Sequence, residues 1–439
     1  MANLKAFKGY RYNTEKVDDI GKQVSPPYYN LNMPDKKMYY EASKHNSVRL
    51  FCGQDYEGDN AENNRFTRAA NYLDTWIKDG ILKRDSEDAI YMYEQIMTVG
   101  GFQYSNRSFI SLVELKTIEE GQIVPCEEIR EVSKQDRYDF LTATNADLSL
   151  VSCLYVEREK YLFNLMNKIA ENAPETEYTS LDGIIHRVWV ITDKEIINYI
   201  IEKFRDLRLY IVDGQTRYQT CIDYRDYMRE NNPNHTGDEP YNYTMVSLMN
   251  SYSDGIAILP VHRGIKLGRT FKLDYFVSGA QDHFKIEKII VDLGDDSLVD
   301  TMRKQIATKK NETKIAMYCG GDFFYRITLK DTDYLKNNVL QDMSEDYCGL
   351  DTVVLNKLVL EDILMIKNEH FDEVVYMERD HNKCYDAVID GKYDAMFILN
   401  PVKIDQIRRV TANGEKMPKK TINVYPRPAV GVVINVKED

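Results

Sequence analysis

One stretch in the middle of the chain combines three patterns of apolar and polar residues. Residues 209–212 are apolar or β-favouring and predict a short buried strand. Asp213-Gly214 is a turn signal, because glycine reaches backbone conformations that other residues avoid. Beyond the turn, apolar residues recur at steps of three and four, which predicts a helix: Tyr218, Cys221, Ile222. The pattern therefore predicts a strand–turn–helix unit with an aspartate in its turn.

Similar patterns elsewhere predict a mixture of helices and strands. Residues 89–98 and 103–115 predict a hairpin around Gly100-Gly101, and residues 314–319 and 322–328 predict another. A short strand is predicted over residues 46–50. We therefore expect an α+β or mixed α/β fold with several lobes and with the strand–turn–helix unit as its central core.

The length of 439 residues exceeds the size of a single hydrophobic core. We expect an N-terminal α+β region over residues 1–175, with a boundary near Asn172-Ala-Pro-Glu. A central region over residues 176–265 carries the Asp-Gly-x-x-Arg turn, and a C-terminal α+β domain covers residues 266–439.

Charge and cysteine content narrow the classes of partner. The net charge of −13 disfavours nucleic acid, since non-specific binding depends on cationic contacts to phosphate. Seven scattered cysteines without a CxxC pair indicate reduced thiols. No apolar run suits a signal peptide or a bilayer span. We expect a cytoplasmic protein with no membrane partner, and a homo-oligomer is an open possibility.

The turn and three arginines are the candidates for binding an anion. Gly214, Gln215 and Thr216 would offer backbone N–H groups at the start of the helix, where the helix dipole also attracts negative charge. Arg217 follows, and two further predicted strands carry His-Arg pairs at or near an end, His186-Arg187 and His262-Arg263. Arginine clusters suit phosphate or carboxylate. The alternative is that Asp213-Gly214 only turns the chain and that Arg217 is a solvated helix residue.

Familiar catalytic motifs are missing from the sequence. It contains no GxxxxGK[ST], GxGxxG, GxSxG or HExxH. A zinc site would need a fourth ligand and regular spacing that three candidate residues do not supply: His370, His381, Cys384.

An ordered series of motifs runs almost from end to end of the chain. It comprises residues 7–13, 25–28, 46–50, 136–137 with 143–144, 183–189, 213–218, 239–243, 259–263 and 414–419. This series resembles the bacterial and archaeal family known as domain of unknown function 1015. The family's central Asp-Gly-His-His-Arg signature is similar to the turn of ParB-like free serine kinases, a link that covers only the middle of the chain.

The chain departs from this family where proton transfer would occur. Both histidines and the glutamate of the family signature are replaced, by Gln215, Thr216 and Gln219. Glutamine and threonine hydrogen-bond, but they do not exchange protons near neutral pH as imidazole does. Two further family histidines are also replaced, in Pro125-Cys126-Glu127 and in Leu355-Asn356.

The resemblance implies a small-molecule kinase that uses ATP or ADP with Mg²⁺ and acts on free serine or a similar hydroxy-amino acid. Asp213 would hold the metal or orient the acceptor hydroxyl, and His262 or His186 would serve as base. Phosphate would contact the remaining candidates: Gly214, Gln215, Thr216, Arg217, Arg187, Arg263. The alternatives are a nucleotide or phospho-metabolite binding protein without turnover and, less favoured by charge, a ParB-like partner of nucleic acid.

Overall fold

A computed structural model describes residues 2–27, 31, 33–128, 134–267, 271–291, 297–308 and 312–438. The chain forms two compact units. The first comprises Met1–Pro125, Ile129–Ala257 and Val424–Asp439, and the second comprises Cys126–Glu128 and Ile258–Asn423. The boundary expected after residue 175 falls inside the first unit, and the one expected after residue 265 falls inside the second.

The α-helices, in chain order, are α1 (Met33–Ala42), α2 (Val48–Phe51), α3 (Arg65–Lys78), α4 (Lys134–Thr144), α5 (Tyr161–Ile169), α6 (Lys194–Phe204), α7 (Gln215–Asn231), α8 (Leu273–Ala280), α9 (Leu298–Ile306), α10 (Glu345–Cys348), α11 (Asp351–Val354), α12 (Phe371–Val374), α13 (His381–Ile389) and α14 (Ile404–Ala412). Short 3₁₀ turns occur at Ile20–Lys22, Ile118–Glu120, Pro240–Asn242 and Asn368–His370, and π-helical segments at Leu335–Val339 and Leu355–Ile363.

The strands, in chain order, are β1 (Leu4–Lys5), β2 (Tyr10–Tyr12), β3 (Leu82–Arg84), β4 (Ile90–Val99), β5 (Phe102–Glu114), β6 (Ile123–Pro125), β7 (Ala146–Asp147), β8 (Val151–Tyr155), β9 (Thr176–Thr179), β10 (Ile185–Ile191), β11 (Leu209–Asp213), β12 (Tyr243–Asn250), β13 (Ala257–Ile258), β14 (His262–Ile265), β15 (Phe284–Ile290), β16 (Lys314–Tyr318), β17 (Phe323–Leu329), β18 (Val375–Glu378), β19 (Ala395–Ile398), β20 (Val424–Tyr425) and β21 (Asn435–Val436).

The first unit is built on a mixed sheet with the order β6-β11-β8-β12-β5-β4-β10-β9, to which β1 adds through β5. Strand β11 runs parallel to β6 and antiparallel to β8. Because successive side chains point to opposite faces, the two faces carry separate apolar cores. One contains Met92, Phe109 and Cys153, and the other contains Tyr93 and Ile110. The expected mixed α/β class is confirmed.

The second unit contains a sheet in the order β15-β17-β16-β19-β14-β18, with antiparallel pairing throughout. Its main core lies between this sheet and the segment 351–363, which starts as α11 and continues as a π-helix.

Both predicted hairpins are confirmed, as β4–β5 and β16–β17. The strand predicted over residues 46–50 is wrong, because this segment enters helix α2. The Asn46 side chain accepts a hydrogen bond from the backbone N–H of Val48 at 2.9 Å, which closes a turn in place of a strand.

Candidate functional site

The last residue of β11 is turned out of the apolar core by a β-bulge. Ile211 pairs with Cys153, but Asp213 pairs with Ser152, the adjacent residue, so one extra residue lies between them on β11. In a regular strand Asp213 would share the face of Ile211, which lies in the core with Cys153. The bulge instead directs Asp213 to the face of Ser152. This irregularity makes a buried aspartate tolerable here.

Asp213 forms an ion pair with an arginine from the C-terminal segment. Arg427 Nε lies 3.1 Å from Asp213 Oδ1, and the two side chains are 6% and 11% exposed. The Arg427 carbonyl accepts a hydrogen bond from Gln95 Nε2 at 3.0 Å, which fixes the backbone that carries the guanidinium. Asp213 is therefore a charged, oriented group at the end of its strand.

Gly214 is the N-cap of α7 and has a left-handed backbone with φ +89°. A Cβ atom at this position would lie 2.8 Å from Arg217 Nη1 and 3.3 Å from Val151 Cα, so the turn requires glycine in both conformation and space. Since glycine has no side chain, it cannot cap the first N–H groups of α7. The start of the helix therefore presents backbone donors and the positive end of a dipole.

Arg217 lies in the first turn of α7 and is half-buried. Its Nη1 donates a hydrogen bond to the carbonyl of Leu150, which precedes β8. The contact holds the guanidinium over Gly214, so Arg217 and Asp213 flank the same bend. Gln215 points back along the strand, with Nε2 donating to the Ile211 carbonyl at 3.2 Å. The backbone carbonyl of Thr216 accepts a hydrogen bond from Thr220 Oγ1 at 2.8 Å.

A cavity of about 70 Å³ has Arg217 in its wall. Its volume suits a few water molecules or one small group of a ligand. Apolar side chains form most of its wall, and Arg137 and Arg217 are its cationic members. The lining residues are Phe51, Asp136, Arg137, Phe140, Leu141, Ala146, Asp147, Leu148, Ser149, Arg217, Thr220 and Cys221.

Two buried serines extend from Asp213 across the sheet. Ser247 on β12 pairs with Ser152 on β8, which pairs with Asp213. Ser152 and Ser247 are at most 1% exposed, and neither hydroxyl has a hydrogen-bond partner among the described residues. Buried hydroxyls are usually hydrogen-bonded, and leaving one unpaired costs about 1–3 kcal/mol. This row next to the bend is thus suited to hydrogen-bond a ligand or ordered water.

His186 is enclosed in a network of its own. Its Nδ1 lies 2.6 Å from the Tyr93 hydroxyl and its Nε2 lies 2.7 Å from Ser180 Oγ. The ring stacks between Tyr93 and Tyr178. Burial lowers the pKa of His186 to about 3, so the imidazole is neutral at pH 7. Both ring nitrogens are engaged, which is the arrangement of a structural histidine.

Arg187 lies far from the bend. Its strand β10 is five positions from β11 in the sheet order, which corresponds to about 24 Å. Arg187 lies with Glu94 on the sheet face opposite to that of Asp213. It donates to Glu94 at 3.3 Å and to Glu177 at 2.6 Å. The structure therefore does not bring Arg187 together with Arg217.

His262 and Arg263 lie in the second unit and are fully buried. The backbone N–H of Leu399 donates to His262 Nδ1 at 3.2 Å, and burial lowers the pKa of His262 to about 3. Arg263 donates from Nη1 to the Val261 carbonyl at 2.7 Å and from Nη2 to the Lys420 carbonyl at 3.1 Å. Such hydrogen bonds from Arg263 hold the backbone carbonyls of Val261 and Lys420 in place.

Within the described ranges, no three His, Cys, Asp or Glu side chains group as metal ligands, and this includes His370, His381 and Cys384. Among the helices that the structure describes, none combines the length and apolarity needed to cross a bilayer.

Sequence reasoning missed Arg427, Ser152 and Ser247. An arginine inside the largely apolar C-terminal segment 424–436 was a usable signal, because buried arginines need a partner. The serines gave none, since serine is common in strands and loops alike.

The fold is of the mixed α/β class. Its candidate anion site is the strand–turn–helix unit formed by β11 and α7. The chain belongs to the family described as protein of unknown function (DUF1015), whose sequence profile matches residues 4–353. A comparison with curated proteins found no match.

Several solved structures are similar to the chain at low identity. A conserved hypothetical protein from Pyrococcus furiosus is 11% identical with a TM-score of 0.34, over 75% of this chain and 95% of that one. A free serine kinase in complex with AMP is 10% identical with a TM-score of 0.34, over 75% and 91%. Staphylococcus aureus SbnI with a C-terminal truncation is 11% identical with a TM-score of 0.35, over 74% and 87%.

Proposed function

We propose that the first unit binds a phosphorylated small molecule, in the first instance ATP or ADP, at the start of α7. The observation that carries the proposal is the bend itself. Asp213 directly precedes Gly214, the amides after Gly214 have no side-chain cap, and the Arg217 guanidinium lies beside Gly214. Backbone donors at a helix start and a guanidinium are a recurrent combination for phosphate.

The ligand contacts follow from this arrangement. The phosphate would accept hydrogen bonds from the backbone N–H groups of Gln215 and Thr216 and from Arg217. Arg217 keeps its Leu150 contact through Nη1 and has two other nitrogens to offer. The cavity beside Arg217 would receive a small part of the ligand, and the Ser152–Ser247 row would hydrogen-bond a polar part.

Mg²⁺ would enter with the nucleotide. Magnesium sites of nucleotide enzymes use one or two carboxylates together with substrate phosphates. Asp213 fits the first requirement, but its Oδ1 already faces the Arg427 guanidinium at 3.1 Å. We therefore assign most of the metal coordination to phosphate and water, with Asp213 as the single protein carboxylate.

Small-molecule kinase activity is the second candidate, with a hydroxy-amino acid such as serine as acceptor. The acceptor oxygen would bond to the terminal phosphorus, the bond from phosphorus to the bridging oxygen would break, and the acceptor proton would pass to Asp213. Asp213 is favoured as base because both nitrogens of His186 are engaged and because burial lowers the pKa of His186 to about 3, which makes its ring a weak base. The oriented carboxylate beside the phosphate position is the observation that favours this candidate.

One set of measurements separates the possibilities. Wild type and Arg217→Ala would be titrated with ATP and ADP in the presence of Mg²⁺, with Arg208→Ala as control, since Arg208 is exposed at the other end of β11. Binding that Arg217→Ala abolishes supports the proposal. A phospho-product from a pool of amino acids supports the kinase, and binding without product supports a non-catalytic binder. No nucleotide binding, or retention on DNA at physiological salt, would contradict both candidates.

A further inference from the structure

The second unit contains a buried glutamate whose carboxylate is surrounded by backbone N–H groups. Glu127 is 9% exposed. Its Oε1 accepts hydrogen bonds from the N–H groups of Thr421, at 2.9 Å, and Ile422. The backbone N–H of Lys420 is directed at the same carboxylate. Three consecutive peptide groups therefore donate to one anion.

The backbone geometry of this segment is typical of an anion-binding turn. Lys420 has φ +58°, in the left-handed region, whereas its neighbours in the chain do not. Alternation of right- and left-handed residues makes consecutive N–H groups converge into a concavity that binds anions. We call residues Lys420–Ile422 the anion turn.

Contacts other than those of Glu127 hold the anion turn in shape. The buried Arg263 donates to the Lys420 carbonyl at 3.1 Å. Thr421 Oγ1 donates to the Pro418 carbonyl at 2.8 Å and lies 3.0 Å from Thr352 Oγ1. The Met417 N–H donates to the Cys126 carbonyl at 2.8 Å. Because these bonds do not involve the Glu127 carboxylate, the concavity persists when that carboxylate is removed.

Burial removes water from the Glu127 carboxylate and so disfavours its charged form. Burial raises the pKa of Glu127 to about 7, although the three amides and the Lys420 ammonium act in the opposite direction. The amides stabilise a negative charge, but burial disfavours the charged form of the glutamate that accepts their hydrogen bonds. Lys416 and Lys419 are exposed in the same segment and attract anions from solvent.

We propose that the anion turn is a binding site for an oxyanion of the phosphate class, and that Glu127 is its internal occupant, displaced when the anion binds. The site lies wholly within the second unit and is independent of the function proposed for the first. A dianionic phosphate group makes stronger charge-assisted hydrogen bonds to amides than a partly protonated carboxyl does. Exchange between Glu127 and the external anion would therefore couple this loop to phosphate concentration.

The test is a titration with inorganic phosphate, followed by thermal unfolding, against chloride at equal ionic strength. Glu127→Ala vacates the turn, Glu127→Gln removes the charge with little change of shape, and Glu128→Ala is the control, since Glu128 is exposed. All are compared in the Arg217→Ala background, so that phosphate at α7 does not contribute. We expect Glu127→Ala and Glu127→Gln to bind phosphate about tenfold more tightly than their parent, and Glu128→Ala to match the parent.

Two further arms make the result decisive. Formate should restore the thermal stability that Glu127→Ala loses, because it returns a carboxylate to the vacant amides. AMP in place of phosphate shows whether the turn takes a phosphate monoester or the free ion, and a gain with either supports the site. Equal phosphate responses in all four proteins, with no rescue by formate, would overturn the proposal. If Glu127→Ala does not fold, Glu127→Gln carries the same comparison.

Discussion

The carboxylate of Asp213 and the guanidinium of Arg427 lie 3.1 Å apart although 214 positions separate them in sequence. The pair joins the end of β11 to the C-terminal segment within the first unit. Asp213 faces Arg427 only because the bulge rotates it away from the core that holds Ile211. The candidate site is therefore assembled from a local irregularity and a distant charge.

Removing one member of this pair should destabilise the protein strongly. Asp213→Asn or Arg427→Gln removes one charge of a buried ion pair, and such changes cost about 3 kcal/mol or more. The double variant should lose less than the sum of the single losses, which urea unfolding and a double-mutant cycle would measure. Lys392→Ala, which breaks the exposed pair with Asp390, is the control and should change little. Additive losses would show that the two side chains do not interact.

Gly214→Ala should be more harmful than the same change at another glycine of like backbone. Gly214 and Gly183 have φ +89° and +81°, but only at Gly214 would the new Cβ meet other atoms, Arg217 Nη1 and Val151 Cα. Each alanine pays about 1–2 kcal/mol for the left-handed conformation. Gly214→Ala should lose about 1 kcal/mol more in denaturant unfolding and should also weaken nucleotide binding by displacing Arg217. Equal losses at both positions would argue against the close approach.

The stability of wild type should depend on pH through Glu127. The folded pKa of about 7 exceeds the ordinary value of 4.5, so the folded state binds this proton more tightly than the unfolded state does. The unfolding free energy should consequently fall as pH rises from about 4.5 to about 7, and level off above it. The loss is on the order of 3 kcal/mol.

Glu127→Gln isolates this effect. Burial also raises the pKa of Asp351, to about 6, and that contribution has the same sign in both proteins. The difference between the two stability curves therefore reports Glu127. Parallel curves between pH 5 and pH 8 would mean that the glutamate does not titrate in that range.

His186 should remain neutral across the physiological range. Its pKa of about 3 results from burial, and its two nitrogens contact Tyr93 and Ser180. We expect no titration of its ring protons above pH 5 by NMR. A midpoint for His186 near pH 6.5 would restore it as a candidate base.

Local patterns in the sequence were sufficient to predict the strand–turn–helix unit of β11 and α7. The apolar run at 209–212, the glycine at 214 and the spacing of Tyr218, Cys221 and Ile222 reflect interactions within a few residues, and β11 and α7 form there. The two glycine-rich hairpins were predictable for the same reason.

Relationships across the sheet were beyond such patterns. Arg187 seemed equivalent to Arg217 in sequence, but the sheet order places its strand β10 about 24 Å from β11. The bulge at Asp213 depends on how β11 pairs with β8, and Arg427 arrives from the far end of the chain. Neither strand order nor register is written in a local stretch of residues.

The most direct test is calorimetric titration of ADP with Mg²⁺ into wild type, Arg217→Ala and Arg208→Ala, each first shown to be folded by circular dichroism. Binding through the start of α7 predicts saturable heat for wild type and Arg208→Ala and at least a tenfold weaker interaction for Arg217→Ala, since a charge-assisted hydrogen bond contributes about 1.5–3 kcal/mol. Equal affinity in all three proteins, or no binding by wild type, would contradict the account.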